Sequence, residues 1–387
     1  MKFMLSQRSF SRYWRTWGSH CSPSLAHYLI PITRPAFRRK LSTTPPETNA
    51  SQQAEYVGQT GRIYTVHSTI GFSPQNKLIL ATSDDGQRFV LKHLEPENLN
   101  RYQIANDCLK DSDSRFRLLK DVIPSESMIV CEHFNTSLYH TIQGQRRLPL
   151  DMVKKILKSA LNFLAELHDR NVVYGVFGPR HILLDLTKDQ GRVTLNRVQL
   201  AHSFDTVYLP RGSNILRREV GPWQWRSPES SVFGPVNKPS DIFSFALLCV
   251  FAVRRKRVLL NHRRVQNHVK SDTQISILKR QMSYFADRKG VEGFVKYLGK
   301  EHPLIPMIQL TWDGLLEGNS CQPWKSGLKD FQNLIHAMTN FDPSKRITAR
   351  QALQHKWFED VEVVQQDDRP EKQESDQDSS LVFKVKK

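Results

Sequence analysis

The chain has 387 residues and a formal net charge of +18 at pH 7. That length has room for one large two-lobed domain of about 300 residues with flanking segments. Its five cysteines are scattered, without paired or metal-ligand spacing, which argues against a disulfide framework and against a zinc module. The positive charge leaves nucleic acid or an anionic membrane surface open as binding partners.

The N-terminal segment has the composition of a mitochondrial targeting sequence. The first 46 residues contain no Asp or Glu. Arg8, Arg12 and Arg15 share one face of a helical wheel, with aromatic residues roughly opposite, and Arg-rich, Ser-rich amphipathic segments are typical of mitochondrial import. We therefore predict a targeting segment at residues 1–45, cleaved near Leu41, and a linker at residues 46–55. If the segment is only a basic arm, the cytoplasm is the expected location.

Short strands and a hairpin are predicted next. Arg62–Val66, Lys77–Ala81 and Arg88–Leu94 are rich in β-branched or aromatic residues, as strands are. Asp85 and Gly86 lie between the last two segments and form a typical hairpin turn. The first part of the folded chain is therefore predicted to be a small antiparallel sheet.

The later part of the chain is predicted to be mainly helical. Apolar residues recur at helical spacing from Asp151 to Asp169, with Asp151 as the expected N-cap. A second helix is expected near Asp241, with Ser240 as its cap, and it is apolar nearly all round, as a buried helix is. Its apolar run is too short for a bilayer, which needs about 20 residues. The predicted fold is α+β, with a small β-rich N-lobe and a larger helical C-lobe.

One loop carries the most specific motif. Residues 171–184 read NVVYGVFGPRHILL, and this stretch resembles the protein-kinase catalytic loop, H-R-D-x-K-P-x-N-I-L. In that family the Asp accepts the proton of the substrate hydroxyl and the Asn holds a magnesium ion. The matching positions here are Val176 and His181.

Further residues resemble the nucleotide site of the same family. Gly71 begins a stretch spaced like the phosphate-covering loop, although only its first glycine is kept, and Lys92 closes a segment similar to V-A-I-K. Arg197 aligns with the metal-binding Asp of D-F-G. The resemblance implies a vestigial nucleotide site at Gly71, Lys92, Glu132, Phe134 and Arg197, with the lobes meeting near Cys131 to Phe134.

Other landmarks resemble the scaffold of the family. Residues 225–229 are similar to the A-P-E segment, residues 240–245 to the start of the buried central helix, and residues 342–358 to the last helices. The resemblance implies an ion pair between Glu229 and Arg346, and a bond from Asp241 to the loop backbone. It also implies an N-lobe at residues 56–131 and a C-lobe at residues 132–358. The tail at residues 359–387 is acidic with little apolar periodicity, which predicts disorder.

The substitutions predict a pseudokinase. An imidazole at His181 and a guanidinium at Arg197 do not suit magnesium, which prefers oxygen ligands. We expect no catalytic residue, no metal and no required cofactor, although ATP without magnesium could bind through Lys92 and Arg197. Asp107 is the nearest acid that could pair with Lys92. The expected role is that of a binding, scaffold or regulatory protein with an unidentified protein partner.

Two alternatives stay open. The chain could be an active serine/threonine-type kinase that uses relocated acids, with Asp185, Asp189 and Asp205 as the local candidates. It could instead be a nucleic-acid or membrane-surface protein acting through the basic run at residues 254–257, which predicts steeply salt-dependent binding. That run lacks interleaved aromatic residues, so nucleic acid is not the favoured partner.

Overall fold

A computed structural model describes residues 54–70, 78–107, 109, 119–144, 147–175, 177–201, 205–216, 220–255, 259, 270–321 and 323–364. The predicted targeting segment, most of the linker, Gly71 and Val176 lie outside the described residues. Within the described ranges, no helix has the length and apolar character that crossing a bilayer requires.

The N-lobe is a six-stranded sheet in the order β1-β2-β3-β4-β6-β5, and every neighbouring pair in it is antiparallel. Its elements are β1 (Glu55–Val57), β2 (Ile63–Ile70), β3 (Leu78–Ser83), β4 (Arg88–His93), helix α1 (Pro96–Asp107), β5 (Leu119–Ile123) and β6 (Met128–Glu132). The three predicted strands are confirmed as β2, β3 and β4. Tyr64 and Phe89 pack edge to face, with ring centroids 5.4 Å apart, in the core of this sheet.

The predicted hairpin between β3 and β4 is confirmed. Gly86 has a φ of +80°, which a glycine adopts without strain. The Asp85 carboxylate accepts hydrogen bonds from the Ser83 hydroxyl and, at 3.1 Å, from the Gln87 N–H. Local side-chain bonds of this kind favour turns over helix or sheet, so the sequence specifies this turn by itself.

The C-lobe is mainly helical. Its helices are α2 (Leu138–Gln143), α3 (Leu150–Asp169), α4 (Pro228–Ser231), α5 (Lys238–Arg254), α6 (Lys270–Phe285), α7 (Arg288–Leu298), α8 (Ile305–Glu317), α9 (Lys329–Met338) and α10 (Ala349–Leu353). Helices α3 and α5 supply more of the main apolar core than any other elements, and α5 is buried from Ser240 to Ala252. The α+β, two-lobed prediction is confirmed.

Both predicted helix caps are wrong. Helix α3 begins at Leu150, and its N-cap position is Pro149, so Asp151 lies inside the first turn. Helix α5 begins at Lys238, where the Asn237 side chain accepts from the Lys238 N–H at 2.7 Å. Ser240 is buried in the first turn, and its hydroxyl bonds that of Ser227 at 2.5 Å. The observed N-cap lies two residues before the predicted one in α3 and three residues before it in α5.

Two small sheets, one of three strands and one of two, lie in the C-lobe and include the segment that follows the lobe junction. Their strands are β7 (Thr136–Ser137), β8 (Val172–Val173), β9 (Ile182–Asp189), β10 (Arg192–Leu200) and β11 (Val207–Tyr208). Strand β9 pairs with both β10 and β7, and β8 pairs with β11. The long β9–β10 hairpin therefore lies against the chain segment that links the two lobes.

The disorder predicted from residue 359 onward is wrong for residues 359–364. Val361 is buried, the Lys154 ammonium pairs with the Asp360 carboxylate, and the Val364 N–H donates to the Ser159 hydroxyl at 2.9 Å. Lys158 donates to the carbonyl oxygens of Phe358 and Val361. These contacts fix the segment along α3, and no local sequence pattern could reveal them because the partners are about 200 residues away.

Candidate functional site

The loop that resembles a catalytic loop is held in place by Asp241. This carboxylate is fully buried at the start of α5, and it accepts the N–H of Tyr174 at 2.8 Å and that of Gly175 at 2.9 Å. The His168 Nε2 atom lies 3.0 Å from the same carboxylate. A buried carboxylate requires such partners, and the bond to the loop backbone implied by the resemblance is present.

The loop leaves no room for a side chain at Gly175. Its φ is +94°, and a Cβ added there would lie 2.5 Å from the Asp205 Cβ and 2.9 Å from the Asp205 carbonyl oxygen. Only glycine combines this dihedral angle with so close an approach. The neighbouring Tyr174 is buried, and its hydroxyl donates to the Ala201 carbonyl at 2.5 Å.

The structure does not place Arg197 beside His181, although the resemblance assigns both residues to one metal site. Two side chains that bind one ion must lie close together. The strand neighbour of His181 is Ala201, whose N–H donates to the His181 carbonyl at 2.7 Å, and residues 202–204 lie outside the described residues. Arg197 instead pairs with Asp185, four positions further along β9, which at about 3.3 Å per residue is roughly 13 Å away.

The cause is the length and irregularity of the β9–β10 hairpin. Its register shifts between Leu195 and Arg197, and the strand continues to Leu200. Counting residues from the turn glycine, Gly191, as in a shorter hairpin, therefore assigns the D-F-G position to a residue too early in the chain. The apolar residues Val198 and Leu200 after Arg197 were the available sign that the strand continues.

Arg197 lies in a cluster of carboxylates and one aromatic ring. Its Nε donates to Asp185 Oδ2 at 2.6 Å, its Nη1 pairs with the Glu132 carboxylate, and its guanidinium carbon lies 4.6 Å from the centre of the Phe134 ring. Burial alone would lower the pKa of Arg197, but the hydrogen bond to Glu132 and the charge of Asp185 outweigh it and raise that pKa. Two carboxylates therefore compensate this positive charge.

Lys92 lies on β4, half-buried, opposite Leu78 on one side and Ile129 on the other. Asp107 is exposed at the end of α1. The pairing of Lys92 with Asp107 stays a prediction. Among the described residues, no cluster of three His, Cys, Asp or Glu side chains is arranged to hold a metal ion.

The three acids considered as relocated catalytic groups have different surroundings. Asp185 is paired with Arg197, and Asp189 is exposed near the hairpin turn, opposite Arg192. Asp205 packs directly against Gly175. Of these acids, only Asp205 contacts the loop next to the Val176 position.

The scaffold ion pair between Glu229 and Arg346 is present and bidentate. Arg346 Nη1 lies 2.6 Å from Glu229 Oε1, and Nη2 lies 2.9 Å from Oε2, with both side chains buried. Arg346 also donates to the carbonyl oxygens of Asn340 and Pro239. This pair ties helix α4 to the segment before α10, as the resemblance implied.

Comparison with known proteins identifies the family. The protein kinase domain model matches residues 64–358, well over half of the chain. The chain therefore belongs to the protein kinase domain family.

The relatives found are serine/threonine or calcium-dependent kinases. Serine/threonine-protein kinase AFC2 of Arabidopsis thaliana is 24% identical over 256 residues, a match that spans 59% of this chain and 58% of that protein. Calcium-dependent protein kinase 19 of Oryza sativa subsp. japonica is 40% identical over 55 residues, which are 13% of this chain and 10% of that protein. The chain thus matches less than two thirds of the length of either relative.

A solved structure agrees on the fold. A chain of the yeast RNA Pol II CTD kinase CTDK-1 complex superposes with a TM-score of 0.61 and covers 83% of this chain and 99% of its own. The two sequences are 13% identical, so this similarity bears on the fold alone.

Proposed function

We propose that the protein is a pseudokinase, a kinase-fold protein that acts through binding, scaffolding or regulation rather than phosphoryl transfer. The observation that carries this proposal is His181, an imidazole at the loop position that holds a magnesium ligand in active kinases. In those enzymes the Asn at this position and the D-F-G Asp hold the metal ions.

The residues present do not fit magnesium. An imidazole at His181 is a poor ligand for a hard cation that prefers oxygen. Val176 stands where the catalytic Asp would be, and losing a general base costs about 10²–10⁴-fold in rate. Together these substitutions support the absence of metal-dependent phosphoryl transfer.

Nucleotide binding without magnesium also loses support from the corrected register. The charge of Arg197 is compensated by Glu132 and Asp185, so it is not available to a triphosphate. Lys92 is the remaining cation of the predicted nucleotide site. We therefore infer that binding to another protein, rather than to ATP, is the main activity.

A thermal-shift titration with ATP, with and without magnesium, tests the proposal. We expect no magnesium-dependent stabilisation of the full-length protein. The double variant Val176→Asp, His181→Asn should gain part of it, because it restores a carboxylate and an amide oxygen at the loop. Adding Arg197→Asp should give no further gain, because Arg197 pairs with Asp185, four positions along β9 from His181. Magnesium-dependent stabilisation of the unaltered protein would overturn the pseudokinase proposal.

An active kinase is the second candidate, because Asp205 lies against the loop at Gly175. It predicts magnesium-dependent transfer of phosphate from ATP to a generic basic protein substrate, and loss of that transfer in Asp205→Asn. We expect no phosphate transfer by the unaltered protein or by the Asp205→Asn variant.

We further propose that the protein is mitochondrial. The acid-free, Arg-rich composition of residues 1–45 supports this proposal. A fluorescent protein fused to these residues should enter mitochondria, and the fusion with Arg8, Arg12 and Arg15 changed to Glu should stay in the cytoplasm.

A further inference from the structure

The segment that links the two lobes, residues 132–137, is bonded along its length. The His133 N–H donates to the Arg88 carbonyl of the N-lobe sheet at 3.2 Å. From Thr136 onward, strand β7 pairs with β9 of the C-lobe. A hinge needs a few residues whose backbone dihedral angles are free to change, and both ends of this linker are already held in a β-ladder or a backbone bond.

Asn135 lies in the middle of the linker, and its side-chain amide makes the two hydrogen bonds to the β9 backbone that a neighbouring strand would make. Its side-chain Nδ2 donates to the Leu186 carbonyl at 2.8 Å, and its Oδ1 accepts the Leu186 N–H at 3.1 Å. Its backbone N–H donates to Asp185 Oδ1 at 2.9 Å. This one residue therefore makes three bonds to the C-lobe hairpin.

Arg197 joins the two lobes electrostatically. It pairs with Glu132, the last residue of the N-lobe strand β6, and with Asp185 on the C-lobe strand β9. Its side chain is 21% exposed, that of Glu132 34% and that of Asp185 10%. Charge-assisted bonds in such partly dehydrated surroundings are stronger than surface ion pairs.

We propose that Arg197 is an inter-lobe lock, which holds the two lobes at one angle through Glu132, Phe134 and Asp185. The guanidinium bonds a carboxylate at the end of the N-lobe strand β6 and a carboxylate on the C-lobe strand β9. The lock restricts the closing motion that kinase-fold proteins make around a ligand. The lock presents the two lobes as one rigid surface to a binding partner. This role of Arg197 holds whether or not the protein transfers phosphate.

Hydrogen exchange of the full-length protein tests the lock. In Arg197→Ala, the Asn135 and Leu186 amides should exchange about tenfold faster or more, which corresponds to the loss of one charge-assisted bond. Amides in the middle of α3 and α5 should be unchanged. Raising the salt concentration should speed the same linker amides in the unaltered protein.

Matched variants distinguish a lock from a general loss of stability. Arg350→Ala removes the exposed pair with Asp169, whose side chains are 51% and 52% exposed, and should leave linker exchange unchanged. Glu132→Gln keeps the hairpin pair of Arg197 with Asp185 and weakens its bond to the N-lobe, together with the exposed pair between Lys120 and Glu132 at 3.7 Å. If Arg197→Ala does not fold, Glu132→Gln and Arg197→Lys provide the test. Linker exchange that is unchanged in these variants, or equally fast in Arg350→Ala, would overturn the proposal.

Discussion

Arg346 and Glu229 form the most completely dehydrated ion pair among those described here, with side-chain exposures of 0% and 1%. Replacing Arg346 by Ala leaves Glu229 buried without its partner, and that situation costs about 3–5 kcal/mol. We expect the free energy of unfolding, measured by urea denaturation, to fall by this amount.

The exposed pair between Arg350 and Asp169 is the control for this prediction. Because water screens that pair, Arg350→Ala should cost only about 0–1 kcal/mol. Equal losses in the two variants would show that burial of the Glu229–Arg346 pair does not determine its contribution.

Gly175 offers a second prediction at the level of one residue. Gly175→Ala should destabilise the protein by more than Gly212→Ala, as thermal denaturation would show. Gly212 has a similar φ of +82° with nothing within 4 Å of an added Cβ, whereas the same methyl at Gly175 would meet Asp205. The difference between the two variants isolates the steric contact from the backbone strain. Equal melting temperatures would mean that the loop and Asp205 separate easily.

At the level of elements, one residue of the basic run at residues 254–257, at the end of α5, makes packing contacts with another helix. The Arg255 guanidinium donates to the carbonyl oxygens of Ile142 and Gly144, both at 2.5 Å, at the end of helix α2. Cationic side chains that bond the last carbonyls of a helix stabilise its C-terminus. The part of the run that the structure describes therefore serves packing as well as surface charge.

Arg255→Ala should consequently lower the free energy of unfolding by about 1–3 kcal/mol, since two carbonyl oxygens lose a charged donor. Its exposed neighbour is the control, and Arg254→Ala should change stability by less than about 0.5 kcal/mol. Urea denaturation of both variants measures the two values. A larger effect at Arg254 than at Arg255 would contradict this role.

At the level of the whole molecule, the folded unit extends beyond the last predicted helix. A chain that ends at Phe358 loses buried Val361, the pair of Lys154 with Asp360 and the bond from Lys158 to the Val361 carbonyl. A chain that ends at Val364 keeps every described contact. Burying one valine is worth about 1.5–3 kcal/mol. We expect the shorter chain to melt at a lower temperature than the chain ending at 364, and identical melting would place the end of the folded unit at 358.

The scaffold could be predicted from the sequence because its signals are local or resemble conserved spacings of a family. The helical periodicity before Asp169, the turn at Asp85 and Gly86, and the landmarks at Glu229, Asp241 and Arg346 each depend on a few adjacent residues. The candidate site was predicted only in part: its loop was located correctly, but the residue facing His181 was not.

The sequence by itself determined the two-lobed kinase-like fold and the substitutions in the loop at Val176 and His181. Only the tertiary structure decided that Ala201, rather than Arg197, lies beside His181 and that Arg197 bonds Glu132, which is 65 residues away. The physical reason is the register of an antiparallel hairpin. The shift between Leu195 and Arg197 moves the pairing by one residue, and the length of the hairpin accounts for the other positions that separate Arg197 from His181. Both are set by backbone pairing that residue spacing does not reveal.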